Sequence, residues 1–165
     1  MIHPIVTHPD PRLREVSQPV ERFDDELARL VDDMFETMHD ADGIGLAAIQ
    51  IGVPLRLAVM QVEDNPRRVM VNPTYEVLGE AMRLEEGCLS VPGVRDQTKT
   101  RADHVHVRAL DGNGEPYEFE AEGLEAACVQ HEIDHMDGHL YVDRLTTIRR
   151  RRVLKRYEQQ RETES

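Results

Sequence analysis

The sequence predicts an α+β fold in which mixed or antiparallel β-sheets pack around a central helix, with further helices near each terminus. Two segments carry apolar residues at helical three-four spacing, and four segments have the alternation or apolar content of strands. A third indication is the turn at residues 111–114 (DGNG), which joins two of those strands as a hairpin. With 165 residues, 39% hydrophobic and 32% charged, the chain suits one domain over residues 1–165.

The N-terminal part combines an irregular segment with a helix. Four prolines in the first two dozen residues exclude a continuous helix or a central strand there, so we expect this segment to lie over the core. A helix is predicted to follow, because apolar residues recur at three-four spacing between Leu27 and Met38. Asp24 or Asp25 can cap it, and it should end near His39.

The remaining elements follow in order. Residues 43–52 (GIGLAAIQIG) are too rich in glycine for an ordinary helix start. The other predicted elements are strands over residues 56–62 and 69–78, a hairpin of residues 105–110 and 117–121, and helices over about residues 122–136 and 146–160.

Charge and composition exclude several functional classes. The net charge is −12, yet the segment from Thr146 onward holds seven Lys/Arg and only three Glu. An acidic body argues against broad nucleic-acid binding, DNA included, whereas the basic tail leaves room for one local anionic contact. No apolar run approaches the ~20 residues of a membrane span, and the first residues show no secretory signal. The cytoplasm is therefore expected, where Cys88 and Cys128 serve as thiols or metal ligands rather than as a disulfide.

The segment QHEIDH (130–135) places two histidines four residues apart on the predicted central helix. His131 and His135 then share one face and can bind one metal ion. Glu132 is rotated by about 100°, which places it beside the ion, where it can take a proton from an activated water. The competing interpretation is a chance match in a histidine-containing helix.

A third ligand decides between the classes of enzyme that use this motif. In one class of protease with this motif the third ligand is a histidine, at the position where this chain has Tyr141. In another class the third ligand is a downstream glutamate, but here Glu158, Glu162 and Glu164 lie in a hydrophilic tail. A zinc endopeptidase is therefore the less favoured alternative. Upstream, Cys88 ends a predicted strand and would complete a three-ligand site, although a cysteine is also often a small buried apolar residue.

Three segments together resemble the motifs of the peptide deformylase family. They are GIGLAAIQ (43–50), EGCLS (86–90) and QHEIDH (130–135), and the opening HPDPRLR and the hairpin around DGNG are also similar. The resemblance covers essentially the whole chain. It implies a metallohydrolase that removes the formyl group from the N-terminal formyl-methionine of newly synthesised proteins.

The resemblance also implies roles for individual residues. Cys88, His131 and His135 hold the metal, Glu132 is the acid/base, and Gln50 with the backbone N–H of Leu89 stabilises the oxyanion. Gly45 contacts the substrate and Arg95 lies near the mouth of the peptide site. Glu86, the first residue of the second motif, is assigned to substrate binding, as are four residues that are either pocket walls or plain core: Ile44, Leu124, Ala127 and Cys128.

The cofactor and partners follow from the same resemblance. Ligand types alone admit Fe²⁺, Zn²⁺, Ni²⁺ or Co²⁺, and the family resemblance favours Fe²⁺. The substrates are formyl-methionyl nascent peptides. Six basic residues between Arg149 and Arg156 suggest a ribosome contact, with a solvated helix face as the alternative.

Overall fold

Seven strands form two antiparallel sheets in the computed structural model, which describes residues 1–164. Three α-helices pack against the sheets, so the predicted α+β class is confirmed. The helices are α1 (Asp25–Asp40), α2 (Gly123–Met136) and α3 (Thr147–Glu164). The strands are β1 (Gly45–Ala47), β2 (Leu57–Met60), β3 (Arg68–Val77), β4 (Ala81–Cys88), β5 (Val91–Ala102), β6 (His104–Leu110) and β7 (Pro116–Glu122).

The larger sheet has five strands in the order β1-β2-β3-β6-β7, and the smaller sheet pairs β4 with β5. The predicted hairpin is confirmed as β6 and β7, joined through the DGNG turn. Helix α2 contacts all five strands of the larger sheet and also β5 of the smaller one. It therefore lies between the two sheets, and its buried residues, such as Val129 and Ile133, pack against Val105 and Phe119.

Helix α1 forms where the apolar spacing predicts it. The Asp24 side chain caps the helix by accepting a hydrogen bond from the Leu27 N–H at 3.0 Å. Its buried face packs on the larger sheet and buries Leu57 and Val59. The helix ends at Asp40, one residue beyond the predicted end near His39.

Helix α3 is longer than expected and is anchored in the core. It continues to Glu164, past the predicted end near residue 160. Val153 and Tyr157 are 0% and 1% exposed and belong to an apolar cluster that includes Val91 and Tyr141. This helix is therefore part of the fold as well as a carrier of positive charge.

The hairpin of β4 and β5 was only half predicted, as a strand ending near Cys88. Strand β5 contains Pro92, Gly93 and four charged residues, two of them exposed, so its sequence lacks a clear strand pattern. In the described part of the chain, no helix is long and apolar enough to span a membrane.

Candidate metal centre and active site

Three side chains from two elements converge between the sheets. Cys88 ends β4, while His131 and His135 project from one face of α2. The Cys88 Sγ lies 3.4 Å from His135 Nε2, and that nitrogen lies 3.2 Å from His131 Nε2. All three donor atoms lie within 4.8 Å of one another. The structure therefore brings together the thiol and the two imidazoles that the sequence singled out.

The orientation of the His131 ring is set from behind by Glu86. Its Nδ1 lies 3.2 Å from Glu86 Oε1. A carboxylate only accepts hydrogen bonds, so Nδ1 donates to Glu86, and Nε2 is the nitrogen that faces Cys88 and His135. Burial alone would raise the pKa of Glu86, but hydrogen bonds from His131 and Arg101 lower it to about 2. Glu86 is therefore ionised when it holds the ring.

Behind Glu86, a buried network of charges runs through Arg101 to Asp134 of α2 and on to Arg144. Arg101 is fully buried and donates from Nε and Nη2 to Glu86, and from Nη1 to Asp134 Oδ2 at 2.6 Å. Asp134 also accepts from Arg144 Nε at 2.6 Å and from Nη2 at 2.8 Å. Thr98 donates a short hydrogen bond to Glu86. No sequence pattern predicted this network; its one local signal is Asp134, three residues after His131 on the same helix.

The electrostatics of the site favour a cation where the three donor atoms meet. Burial lowers the pKa of both imidazoles, but the neighbouring Cys88 side chain and Glu86 carboxylate raise the pKa of His131 well above its usual value. The pKa of His135 is lowered well below its usual value by burial and by the neighbouring His131. The neutral His135 ring offers a lone pair, and the negative groups favour a positive ion. A sulfur and two nitrogens are ligands suited to Fe²⁺, Zn²⁺, Ni²⁺ or Co²⁺, so these residues fit a divalent metal.

Glu132 lies beside the candidate metal centre and is almost fully buried. Its Oε2 is 3.9 Å from the Cys128 Sγ, and its Oε1 has no hydrogen-bond partner within residues 1–164. Burial raises the pKa of Glu132 to about 7, although the positive charges of His131 and Arg101 act in the opposite direction. A carboxyl group with that pKa can both accept and donate a proton near neutral pH.

Gln50 lies at the end of the glycine-rich segment, in a short 3₁₀ helix (Ala48–Ile51). Its Oε1 accepts from the Ala47 N–H at 2.9 Å, which fixes the amide orientation. Its Nε2 donates to Ser90 Oγ at 3.0 Å and lies 3.7 Å from the Cys88 Sγ. The side-chain NH₂ therefore faces the candidate metal centre. Ser90, missed in the sequence analysis, is fully buried and fixes this amide.

A cleft of about 710 Å³ runs over these groups. Leu89 lies on its wall, next to Cys88, in the turn between β4 and β5, and His135 lies beneath its floor, fully buried. All seven residues assigned to substrate binding line the cleft: Ile44, Gly45, Glu86, Arg95, Leu124, Ala127 and Cys128.

The walls of the cleft differ in character. Leu124, expected on the inner face of α2, is 39% exposed because the cleft opens beside it, and Ile44 opposite is 40% exposed. Arg95 is exposed and lies next to Glu85. The Glu86 carboxylate, in contrast, points away from the cleft to His131 and Arg101.

The absence of a side chain at Gly45 makes room for the side chains of Glu132 and Cys128. A Cβ at this position would lie 2.4 Å from Glu132 Oε2 and 2.7 Å from the Cys128 Sγ, both far inside contact distance. Gly45 therefore allows Glu132 to pack directly against the backbone of β1.

Known proteins match the chain in sequence and in structure. Residues 2–151 match the family model described as polypeptide deformylase. The peptide deformylase of Hahella chejuensis is 52% identical over 159 residues, covering 94% of each chain. The peptide deformylase of Legionella pneumophila has a crystal structure with a TM-score of 0.94 and 46% identity, covering 99% of this chain and 98% of that one. A structure of the Ehrlichia chaffeensis peptide deformylase in complex with actinonin has a TM-score of 0.91 and 39% identity, covering 96% and 97% of the two chains.

Proposed function

The chain belongs to the polypeptide deformylase family, and from this premise we propose which residues carry out its reaction. The enzyme is a metal-dependent hydrolase that removes the N-formyl group from the formyl-methionine of newly synthesised proteins and releases formate. The observation that carries the assignment of residues is the convergence of Cys88 Sγ, His131 Nε2 and His135 Nε2 beside Glu132. Residues 1–165 act as one catalytic domain.

Cys88, His131 and His135 are the metal ligands. When bound, a divalent ion supplies Lewis acidity and makes water a nucleophile near neutral pH. Glu86 keeps the His131 ring in the orientation that exposes its Nε2 lone pair.

Glu132 moves the proton. Its carboxylate takes a proton from the attacking water and gives that proton to the formamide nitrogen as the C–N bond breaks, so that the amine leaves in its neutral form. A pKa of about 7 suits both steps. The unpartnered Oε1 leaves one oxygen available for this transfer.

Gln50 and the backbone N–H of Leu89 stabilise the oxyanion that forms as the formyl carbon becomes tetrahedral. The Gln50 amide is held by Ala47 and Ser90 before substrate arrives, so little reorganisation is needed. One such donor typically contributes about 3 kcal/mol to transition-state stabilisation.

The substrate enters as an extended chain between two strand edges. Strand β1 is an edge strand of the larger sheet, and within residues 1–164 β4 pairs only with β5. Both strands line the cleft, so a peptide can add to them by backbone hydrogen bonds. Ile44, Leu124, Ala127 and Cys128 surround the methionine side chain, and Arg95 lies at the mouth.

A comparison of two peptides distinguishes deformylation from the alternative activity, cleavage of the peptide backbone by an endopeptidase. Mass spectrometry of formyl-Met-Ala-Ser should show loss of the formyl group and a free N-terminal amine. An unformylated internal peptide should stay intact over the same time. Cleavage of its backbone would instead indicate an endopeptidase.

We further propose that the native metal is Fe²⁺. A thiolate with two imidazoles does not discriminate between the divalent ions, so the choice rests on family membership. Protein prepared without air should contain iron and lose activity on exposure to oxygen, as the iron or the Cys88 thiolate oxidises. Nickel or cobalt should restore an air-stable enzyme. Fully active, air-stable protein that carries only zinc would refute the iron assignment, but not the ligands.

The remaining proposal is a ribosome contact through α3 in the cytoplasm. Arg151, Arg152 and Lys155 are exposed on this helix, whereas Arg149 pairs with Asp96 at 2.7 Å. RNA phosphates would bind the exposed cations in a salt-dependent manner. Truncation after Leu145, the simpler test, would remove the buried Val153 and Tyr157 and disturb the core.

Charge reversal at the three exposed positions is therefore the cleaner experiment. R151E/R152E/K155E should lose salt-sensitive binding to ribosomes and keep its activity on free peptides. R149Q provides a matched control, because its partner is within the protein. Unchanged ribosome binding in the triple variant would contradict the proposal.

A further inference from the structure

We propose that Arg144, outside the cleft, is a positioning residue for the metal ligand His131, acting through Asp134, Arg101 and Glu86. The inference rests on the proposed metal site. Arg144 lies outside all three sequence motifs, because it is nine residues beyond His135 in a separate 3₁₀ helix (Tyr141–Arg144).

The contacts form an unbroken chain from the surface to the imidazole. Arg144 donates to both oxygens of Asp134, at 2.6 and 2.8 Å. Asp134 Oδ2 also accepts from Arg101 Nη1 at 2.6 Å, and Arg101 donates to both oxygens of Glu86, at 3.0 Å from Nε and from Nη2. Glu86 Oε1 holds His131 Nδ1. Each link is a charged hydrogen bond, and bidentate pairs of this kind fix orientation as well as distance.

Burial makes the chain dependent on its outer member. The Arg101 side chain is 0% exposed and that of Asp134 is 8%, so neither can turn to solvent for a replacement partner. The Arg144 side chain is 31% exposed and donates two of the hydrogen bonds that Asp134 accepts. Without Arg144, the carboxylate of Asp134 keeps Arg101 as its one cationic partner and is free to rotate towards it. That movement shifts the Arg101 guanidinium group relative to the Glu86 carboxylate. The His131 ring, which is hydrogen-bonded to that carboxylate, shifts with it.

A second contact from the same 3₁₀ helix reaches the same imidazole. The Tyr141 ring stacks on the His131 ring with centroids 6.3 Å apart and planes at 21°. Tyr141 therefore supports one face of the ring, while Arg144 acts on its Nδ1 through the charged chain. The two contacts make this short helix a support for one ligand of the metal site.

The experiment measures metal retention separately from turnover. Enzyme loaded with nickel is diluted into excess chelator, and metal release is followed over time for wild type, R144Q and R144K. R144Q should release the metal about 10-fold faster, since loss of an outer partner of a ligand typically costs 10- to 100-fold in metal affinity. R144K should lie between the two, because it keeps the charge but not the bidentate geometry. In R144Q, kcat should fall while KM stays close to that of wild type.

R149Q is the matched control. Arg149 also lies beyond the histidine helix, is 36% exposed and pairs with one carboxylate, that of Asp96. Asp96 stands opposite Glu86 in the β4–β5 pair, but within residues 1–164 no side-chain hydrogen bond joins the two. R149Q should retain metal like wild type. Equal metal release from R144Q and wild type, or equal acceleration in R144Q and R149Q, would overturn the inference. If wild type retains stoichiometric metal without deformylating a formyl peptide, the proposed function fails, and the release rates still decide the role of Arg144.

Discussion

Replacing Gly45 with alanine tests whether the position of the Glu132 carboxylate limits catalysis. The change adds one methyl group and alters no ligand or titratable group. Gly45 lies in β1, paired with Met60, in a backbone conformation that alanine adopts without strain. Any effect must therefore come from what the new Cβ touches.

The size of the displacement follows from the contacts. The added Cβ would lie 2.4 Å from Glu132 Oε2, where ordinary contacts begin at 3.4 Å, so the carboxylate must move by about 1 Å. The Cys128 Sγ at 2.7 Å blocks relief on that side. A misplacement of about 1 Å in a catalytic group can cost about 10²-fold in rate. We expect kcat to fall about 100-fold in G45A.

The assay combines deformylation kinetics with metal content and unfolding by urea. Metal content should stay at one ion per chain, because the atoms nearest to the new methyl group belong to Glu132 and Cys128 and not to Cys88 or the two histidines. Gly112 offers the matched control, since a Cβ there meets nothing within 4 Å. G112A should keep the kcat of wild type.

Two outcomes would refute this reasoning. Wild-type kcat in G45A would mean that the exact position of Glu132 does not limit the rate. A rise in KM with kcat unchanged would mean that Gly45 serves substrate approach alone.

Four further predictions concern the groups around the metal. E132A should keep its metal but lose about 10²- to 10⁴-fold in kcat; metal lost in parallel, measured by elemental analysis, would make Glu132 a ligand. Q50A should lower kcat more than it changes KM, because the oxyanion exists only near the transition state, and an effect on KM alone would exclude that role. C88S should lose both metal and activity, since a hydroxyl is a much poorer ligand than a thiolate, and metal retained at full occupancy would exclude Cys88 as a ligand. The pKa of Glu86 is lowered from 4.5 to about 2. Its ionised form should therefore contribute about 3 kcal/mol to the free energy of unfolding. This contribution should be complete above pH 4.5 and should disappear as the pH falls towards 2. The difference in unfolding free energy between metal-free wild type and E86Q should shrink over that range, and a constant difference would contradict the assignment.

The sequence predicts most of what is local. Helix α1 and its Asp24 cap follow from spacing and capping within one segment, and the position of the two histidines on one face of α2 follows from the helical period. Arg101 could not be predicted in this way. An arginine is seldom fully buried unless it is paired, and its partners Glu86 and Asp134 lie 15 and 33 residues away. The pairing of β4 with β5 brings Glu86 to Arg101, and the packing of β5 against α2 brings Asp134.

The exposure of α2 shows a second limit of sequence patterns. The period of the helix places Leu124 and Cys128 on the same side, and both do line the cleft. The period does not reveal where protein covers that side and where it leaves an opening, so Leu124 is exposed while Cys128 is buried. Strand β5 was missed for a related reason: its pairing with β4 compensates for a proline, a glycine and many charges.

The open edges of β1 and β4 have a consequence for solution behaviour. A strand edge that keeps its backbone groups available is a template for aggregation as well as for substrate binding. Here both edges line a cleft floored by α2, flanked by the exposed charges of Glu85 and Arg95, on a protein of net charge −12. We expect these walls and charges to disfavour pairing of either edge with a second copy of the chain, while the proposed substrate, a single extended chain end, can still lie along them.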